Sequence, residues 1–363
     1  MKGLYVHIPF CEHICFYCDF AKRVAKNREM IDEYLTYLKQ EFDQLTDLDK
    51  SFDTIYIGGG TPSMLDVKQL STLFEMLKGL NPIEYTIEVN PESYSHEKGL
   101  LFKQYGINRV SLGVQSFEPA ILEYIGRKHT NHQVIDTIHD LNALGIDNIS
   151  IDLIFAIPGQ TMASIEHDLD MVSTLPIKHI SYYSLILEEK TVFYHQYLKK
   201  QFRKTDIDLE ADMYEYILER LNRLGFTQYE ISNFTKGDHA SKHNQLYWSM
   251  DPYIGIGAGA HGFDGHTRYQ NHRLLSNYYE SFRQSSFVES PSQFLSDTLI
   301  FGLRRLVGLH LPTIEQQFNI DLFEKYPKLH HLQSLGLIEI VTDYLRLTKK
   351  GLLLGNQVFE VFL

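Results

Sequence analysis

The chain has 363 residues, 44% hydrophobic and 22% charged. That suits a large α/β domain with a smaller companion and excludes disorder, collagen or coiled coil as the dominant architecture. A formal charge of −12 argues against a broadly basic surface, so no nucleic-acid partner is expected. No apolar run reaches the roughly 18 residues that a membrane-spanning helix needs, and Met1-Lys2-Gly3-Leu4-Tyr5 lacks the pattern of a secretory leader.

In chain order, Leu4 to Ile8 reads as a strand, and Ile31, Leu35, Leu38, Phe42 and Leu45 then recur at helical spacing. Thr54 to Ile57 is a second strand, followed by Gly58-Gly59-Gly60-Thr61-Pro62 and a helix over Val67 to Leu77. Tyr85 to Val89, Arg109 to Gly113, Asn148 to Ile154 and His179 to Leu187 are further strands, with helical stretches between them. A long amphipathic helix carries Met213, Ile217, Leu221 and Leu224. Strand–helix units in series imply a parallel sheet, and units of this kind close into a full or partial barrel with helices outside. Chemistry then belongs just after the strand C-termini. The expected fold is α/β, a partial (β/α)6 TIM-like barrel with a small C-terminal module of helices and a wing.

Three segments are expected: a core barrel over 1–232, an irregular Gly/His/Tyr-rich extension over 233–290, and the C-terminal module over 291–363. Ser290 to Gln293 reads as a linker. Leu337 to Val341 and Leu345 to Leu347 read as a hairpin around Thr342-Asp343, before a last helix from Leu352 to Phe362. The stretch Gly257-Ala-Gly-Ala-His-Gly262 matches a dinucleotide fingerprint by chance, because no strand-then-helix context surrounds it.

All three cysteines of the chain, Cys11, Cys15 and Cys18, lie on the loop after the first strand. A disulfide framework would spread them and would not leave an odd one, so the chain reads as cytoplasmic, with reduced thiols. The spacing C-x3-C-x2-C suits three irons of a cubane cluster and leaves the fourth iron open. A single zinc ion completed by His7 or His13 is the alternative.

Other candidates sit at strand ends. Gly58-Gly59-Gly60-Thr61 lets the backbone approach a ligand closely. Glu88 is placed to hold ribose hydroxyls, and Gln115 offers a neutral amide. Asp152 is flanked by apolar residues, so it is expected to be buried and to need a partner, for which Arg127 is a candidate.

The cysteine spacing, with Tyr17 before the last Cys and Tyr5-Val-His7-Ile-Pro9-Phe10-Cys11 leading in, resembles the radical S-adenosylmethionine (SAM) superfamily, in its oxygen-independent coproporphyrinogen oxidase branch. The resemblance implies a 4Fe-4S cluster on Cys11, Cys15 and Cys18. It also implies a SAM shell of Tyr5, Tyr17, Gly59, Gly60, Thr61, Glu88, Gln115, Arg127 and Asp152.

Two features point within that branch to its haem chaperones. Oxidases of the branch continue C-x3-C-x2-C with a further Cys where Phe20 stands here, and they carry an extra segment before the first strand. His243-Asn244-Gln-Leu-Tyr247-Trp248 matches the H-N-x-x-Y-W motif of the chaperones. His243, Asn244, Tyr247 and Trp248 are therefore the haem candidates, with His261 as a second histidine and Arg268 and Arg273 as cations for propionates. The expected function is carriage of haem to haem-requiring membrane proteins, with no transmembrane segment and a homodimer as one option. Oxidative decarboxylation of coproporphyrinogen III is the alternative.

Overall fold

The structure is a computed structural model that describes residues 1–46 and 50–363. Six parallel strands form its centre: β1 (Gly3–Ile8), β2 (Thr54–Gly59), β3 (Glu84–Val89), β4 (Arg109–Gln115), β5 (Ile149–Phe155) and β6 (His179–Ser184). They lie side by side in chain order, as right-handed crossovers through intervening helices require. Those helices are α1 (Arg28–Asp43), α2 (Val67–Met76), α3 (His96–Gln104), α4 (Pro119–Tyr124), α5 (Asn131–Ala143) and α6 (Met162–Thr174). After β6 come α7 (Val192–Leu198) and α8 (Ile207–Arg223). Helix starts are set locally: Asp66 and Thr130 each accept from the backbone three residues on, and Gln69 and Gln133 return the bond.

The strands alternate strictly. Ile55 and Ile57, Tyr85 and Ile87, Val110 and Leu112, Ile149 and Ile151 are buried in the main apolar core. Each aliphatic side chain among them contributes about 1.5–3 kcal/mol by leaving water. The intervening residues Tyr56, Glu88, Ser111, Asp152 and Ser181 line an interior cavity instead. An ordinary (β/α)8 barrel fills its interior with branched apolar side chains; here the interior is polar and open. That polarity is what makes the barrel lumen a site and not a core.

The stretch from 233 to 290, expected to be irregular, extends the same sheet. β7 (Thr227–Glu230) and β8 (Asn233–Thr235) add antiparallel strands beyond β6. Helix α9 (Lys242–Trp248) follows, and β9 (Tyr253–Ile256) pairs parallel with β1 on the opposite edge. β10 (His261–Phe263), β11 (Thr267–Asn271) and β12 (Arg283–Val288) complete twelve strands. The glycines disguised these short strands: Gly257 and Gly259 take positive φ in the turn between β9 and β10. Ser290, read as linker, caps α10 (Pro291–Gly302) by accepting from the Gln293 amide. Beyond it Leu295, Leu299, Leu322, Leu345 and Val358 gather a second apolar core. The wing strands Ile338–Val341 and Tyr344–Leu347 turn at Thr342 and Asp343, both at positive φ. The final helix is broken into Lys349–Leu353, Gly355–Phe359 and a 3-10 turn. Among the described residues no helix is long and apolar enough to cross a membrane.

Candidate functional site: the cysteine loop and the polar lumen

The cysteine loop is pinned at its base. Phe10–Cys11 pairs with Arg23–Val24, and Arg23 N donates to Pro9 O at 2.8 Å. Phe16 N donates to Ile125 O at 3.1 Å, and Lys22 Nζ donates to Cys18 O. The glycine turn lies against the loop: Gly60 N donates to Ile8 O at 2.8 Å and Thr61 N to Phe10 O at 2.7 Å. A Cβ on Gly60 would stand 2.5 Å from Phe10 O, and Gly59 has φ +112°, so this approach excludes a side chain at either position.

All three cysteines open into one cavity of about 510 Å³, within the range of small-molecule sites. Tyr17, Gly59, Gly60, Thr61, Glu88, Gln115, Arg127 and Asp152 line the same cavity, so the candidates taken from five different strand ends do converge. Tyr5 is set apart from this lining: it stacks on Tyr56 and its hydroxyl meets His7 Nδ1 at 2.9 Å.

Both Glu88 oxygens are held, by the Tyr56 hydroxyl at 2.9 Å and the Gly59 amide at 3.0 Å. Burial, with Asp152 nearby, pushes its carboxyl up to about 7 despite those donors. Asp152 is also raised by burial, opposed by bonds from Ser181 and Ser111, the latter at 3.0 and 3.2 Å. The expected Asp152–Arg127 pair does not form. The Arg127 guanidinium instead donates to Gly113 O at 2.7 Å and approaches Glu92 at 3.5 Å, His129 Nδ1 at 3.3 Å and Cys15 Sγ at 3.9 Å. Hydroxyls from neighbouring strands reach Asp152 first. Gln115, a non-glycine residue, holds φ +69° at the cavity wall, a strained conformation of the kind that gathers at functional sites.

Burial pushes the Cys11 thiol up to about 11 and raises Cys18. At Cys15 burial acts the same way but is outweighed by His13 and Arg127, which hold the thiol below its usual value. Cationic and hydrogen-bonding neighbours of this kind favour a thiolate ligand. Among the described residues no three His, Cys, Asp or Glu side chains are placed to share a single metal ion. Three thiols on one pinned loop, opening into one cavity, fit a cubane, in which each thiolate takes its own iron.

The H-N-x-x-Y-W motif lies at the other end of the barrel. The two Glu84 oxygens accept from the amides of Lys242 and His243 at 2.9 and 2.8 Å, which ties α9 across the strand N-termini. The buried His243 ring meets Thr54 Oγ1 at 2.7 Å and the Tyr247 hydroxyl at 2.9 Å. Trp248 is sandwiched against Arg304, 4.4 Å from its ring, and Phe301 in the C-terminal module. Asn244 alone of the four lines the cavity, at its floor. Arg268 is neutralised by Glu289 and Asp297, and Arg273 donates to Asp19 O at 2.8 Å.

The sequence reading missed the lumen walls: Tyr56, Arg109, Ser111, Ser181 and His179 all face the cavity. The signal was present as the polar positions of each alternating strand.

The family model of the radical SAM superfamily matches residues 5–172, and that of the HemN C-terminal domain matches 290–354. Over its whole length the chain is 40% identical to the heme chaperone HemW of Bacillus subtilis (strain 168), covering 99% of that protein. The chain belongs to the HemW family. The HemW of Lactococcus lactis subsp. lactis (strain IL1403) is also 40% identical, over 100% of this chain and 97% of that one. In structure the chain is similar to the coproporphyrinogen III oxidase HemN of Escherichia coli, a radical SAM enzyme, with a TM-score of 0.87 at 23% identity, covering 99% of this chain and 89% of that one. At that identity the likeness shows the radical SAM fold, which HemW relatives and HemN share.

Proposed function

We propose that this protein is a haem chaperone of the radical SAM type. In this reading it carries a 4Fe-4S cluster on Cys11, Cys15 and Cys18, binds SAM in the lumen, and passes haem to haem-requiring membrane proteins. Whole-length identity of 40% to two heme chaperones carries the reading; the three-thiol loop over a polar cavity supports its cofactors. When bound, the cluster supplies an open iron and an electron to SAM. The residues of the chain divide the remaining work. The Gly59–Gly60 turn offers backbone to the cofactor at close range. Glu88, held by Tyr56 and Gly59, presents its remaining lone pairs to ribose hydroxyls. Arg127, buried beside Cys15, supplies a fixed cation for a carboxylate. Acceptor proteins would provide the membrane contact, and a homodimer remains part of the proposal.

The test is a side-by-side assay of anaerobically reconstituted protein. A saturable Soret change on haem titration, with no turnover of coproporphyrinogen III, is the expected outcome. Formation of protoporphyrinogen IX in the presence of SAM and reductant would replace the chaperone by the decarboxylase.

A further inference from the structure

Arg109 and Arg127 are the two buried arginines among the described residues, and both line the lumen. Arg127 has an acid, Glu92, beside it. Arg109, only 2% exposed, forms no ion pair among the described residues. A buried charge without a counter-charge is costly, and such groups are ordinarily paired. Its Nη1 donates to Asn148 Oδ1 at 2.9 Å and to His239 O at 2.8 Å. Nε and Nη2, the edge that grips a carboxylate side-on, have no acceptor among the described residues.

The groups around this guanidinium supply no free anion. Asp152, the acid that feels Arg109, is held by Ser111 and Ser181, and burial raises its carboxyl. Both Glu84 oxygens are taken by the amides that open α9. His179 is fixed between Ser150 Oγ at 2.7 Å and the Tyr229 hydroxyl at 2.8 Å. Burial first, then Arg109, keep its ring well below 6.5, so it stays neutral. Thr86, the register partner of Arg109 on β3, has a buried hydroxyl with no hydrogen-bond partner among the described residues. Asn244 lines the same lumen from α9, and its side-chain amide is likewise unbonded among the described residues. The floor is therefore cationic and rich in donors.

The two lumen arginines serve different ends. Arg127 donates to Gly113 O, four residues along β4 from Arg109, about 13 Å of strand. One small carboxylate does not reach both. A SAM carboxylate belongs to the cation beside Cys15, which leaves Arg109 for a second ligand.

We propose that Arg109 and Asn244 form a carboxylate subsite at the floor of the lumen, and that it takes a propionate of the haem cargo. The proposal rests on the chaperone reading and deepens it: it concerns the propionates, not the axial ligand of the iron. The subsite is built on the segment that carries the H-N-x-x-Y-W run, since Arg109 holds His239 O and Asn244 belongs to the run itself. A planar guanidinium edge matches a carboxylate in two parallel hydrogen bonds, and a buried one recognises it far better than a solvated lysine does.

The experiment is titration of the full-length protein with ferric haem and with its dimethyl ester, followed in the Soret band. Esterification should raise the parent's Kd about tenfold. Arg109→Gln should raise the Kd for haem by a similar factor and bind haem and ester alike. Arg109→Lys, which keeps the charge, should recover part of the difference. Asn244→Asp sets a carboxylate against the propionate and should weaken haem more than its ester. Labelled SAM in equilibrium dialysis should bind Arg109→Gln as it binds the parent. Should Arg109→Gln fail to fold by circular dichroism, the parent's ester comparison and Asn244→Asp still decide. If the parent binds haem and ester equally, or if Arg109→Gln weakens both by the same factor, the subsite is wrong while the chaperone reading stands. If the parent binds no haem, both fall. If Arg109→Gln keeps haem and loses SAM, the carboxylate is that of SAM and the proposal is overturned.

Discussion

The two ends of the barrel carry the two motifs that stand out in the sequence, and they differ in what surrounds their key side chains. At the N-terminal ends of the strands, both ring nitrogens of His243 and the amides of Lys242 and His243 are matched by Thr54, Tyr247 and Glu84. At the C-terminal ends, His13 Nε2 stands 4.0 Å from Glu92 Oε1, and the three thiols open into the cavity. A hydrogen-bonded network fixes one packing arrangement; thiols that line a cavity stay open to a ligand. The contrast separates a motif whose histidine is tied into the barrel floor from a loop whose thiols face a cavity.

The largest expected effect attacks the open end. Replacing any one of Cys11, Cys15 or Cys18 by Ala should take cluster iron from about four per chain to near zero in anaerobic reconstitution, with the thermal midpoint of the apoprotein little changed. Stoichiometric zinc and no cluster in anaerobically purified parent protein would show that the thiols serve a different metal.

His243→Ala probes the closed end. It removes two buried hydrogen bonds and leaves a cavity between α9 and the strands, at a cost of about 2–4 kcal/mol. Urea unfolding should show the loss. Unchanged stability together with lost haem binding would assign the motif to the haem site.

The ends should also differ in their response to pH. Burial lowers His243 from 6.5 to about 3. The unfolded chain therefore takes up a proton that the folded one refuses, and this contribution to stability, present above 6.5, is lost as pH falls toward 3. Its share of the slope is about 1.4 kcal/mol per pH unit. A His243→Gln variant should flatten the acid limb by that amount. Glu88 works in the other sense. Its folded value near 7 lies above 4.5, so the folded chain holds the extra proton and stability declines as pH rises from 4.5 to 7. Glu88→Gln should remove that decline; an unaltered slope would mean that Glu88 is not buried as described.

The smallest expected change is in affinity alone. Glu88→Ala should weaken SAM binding by about tenfold, as loss of a charged hydrogen-bonding group does, without altering iron content. Equilibrium dialysis with labelled SAM reads it; an unchanged Kd would remove Glu88 from the ribose site.

Much of this was legible because strand periodicity is local. The six barrel strands and the convergence of Gly59, Glu88, Gln115 and Asp152 follow from placing polar residues at strand ends. The acidic partner of Arg127 was not legible: Glu92 comes from another loop, 35 residues earlier, and no spacing connects them. Nor was the sheet extension, because β9 pairs with β1 across about 250 residues of chain, an association set by which edge is open.

The sequence by itself determined which residues are chemically capable, since three thiols on one short loop, alternating polar strand positions and an H-N-x-x-Y-W run are properties of the chain. Only the tertiary structure decided which of them are available. Burial and hydrogen-bond partners come from segments far apart in sequence: Thr54, Glu84 and Tyr247 enclose His243, while Asn148 and His239 hold Arg109 in the lumen wall. A side chain's identity is written in the chain, but its free valences depend on what folds against it.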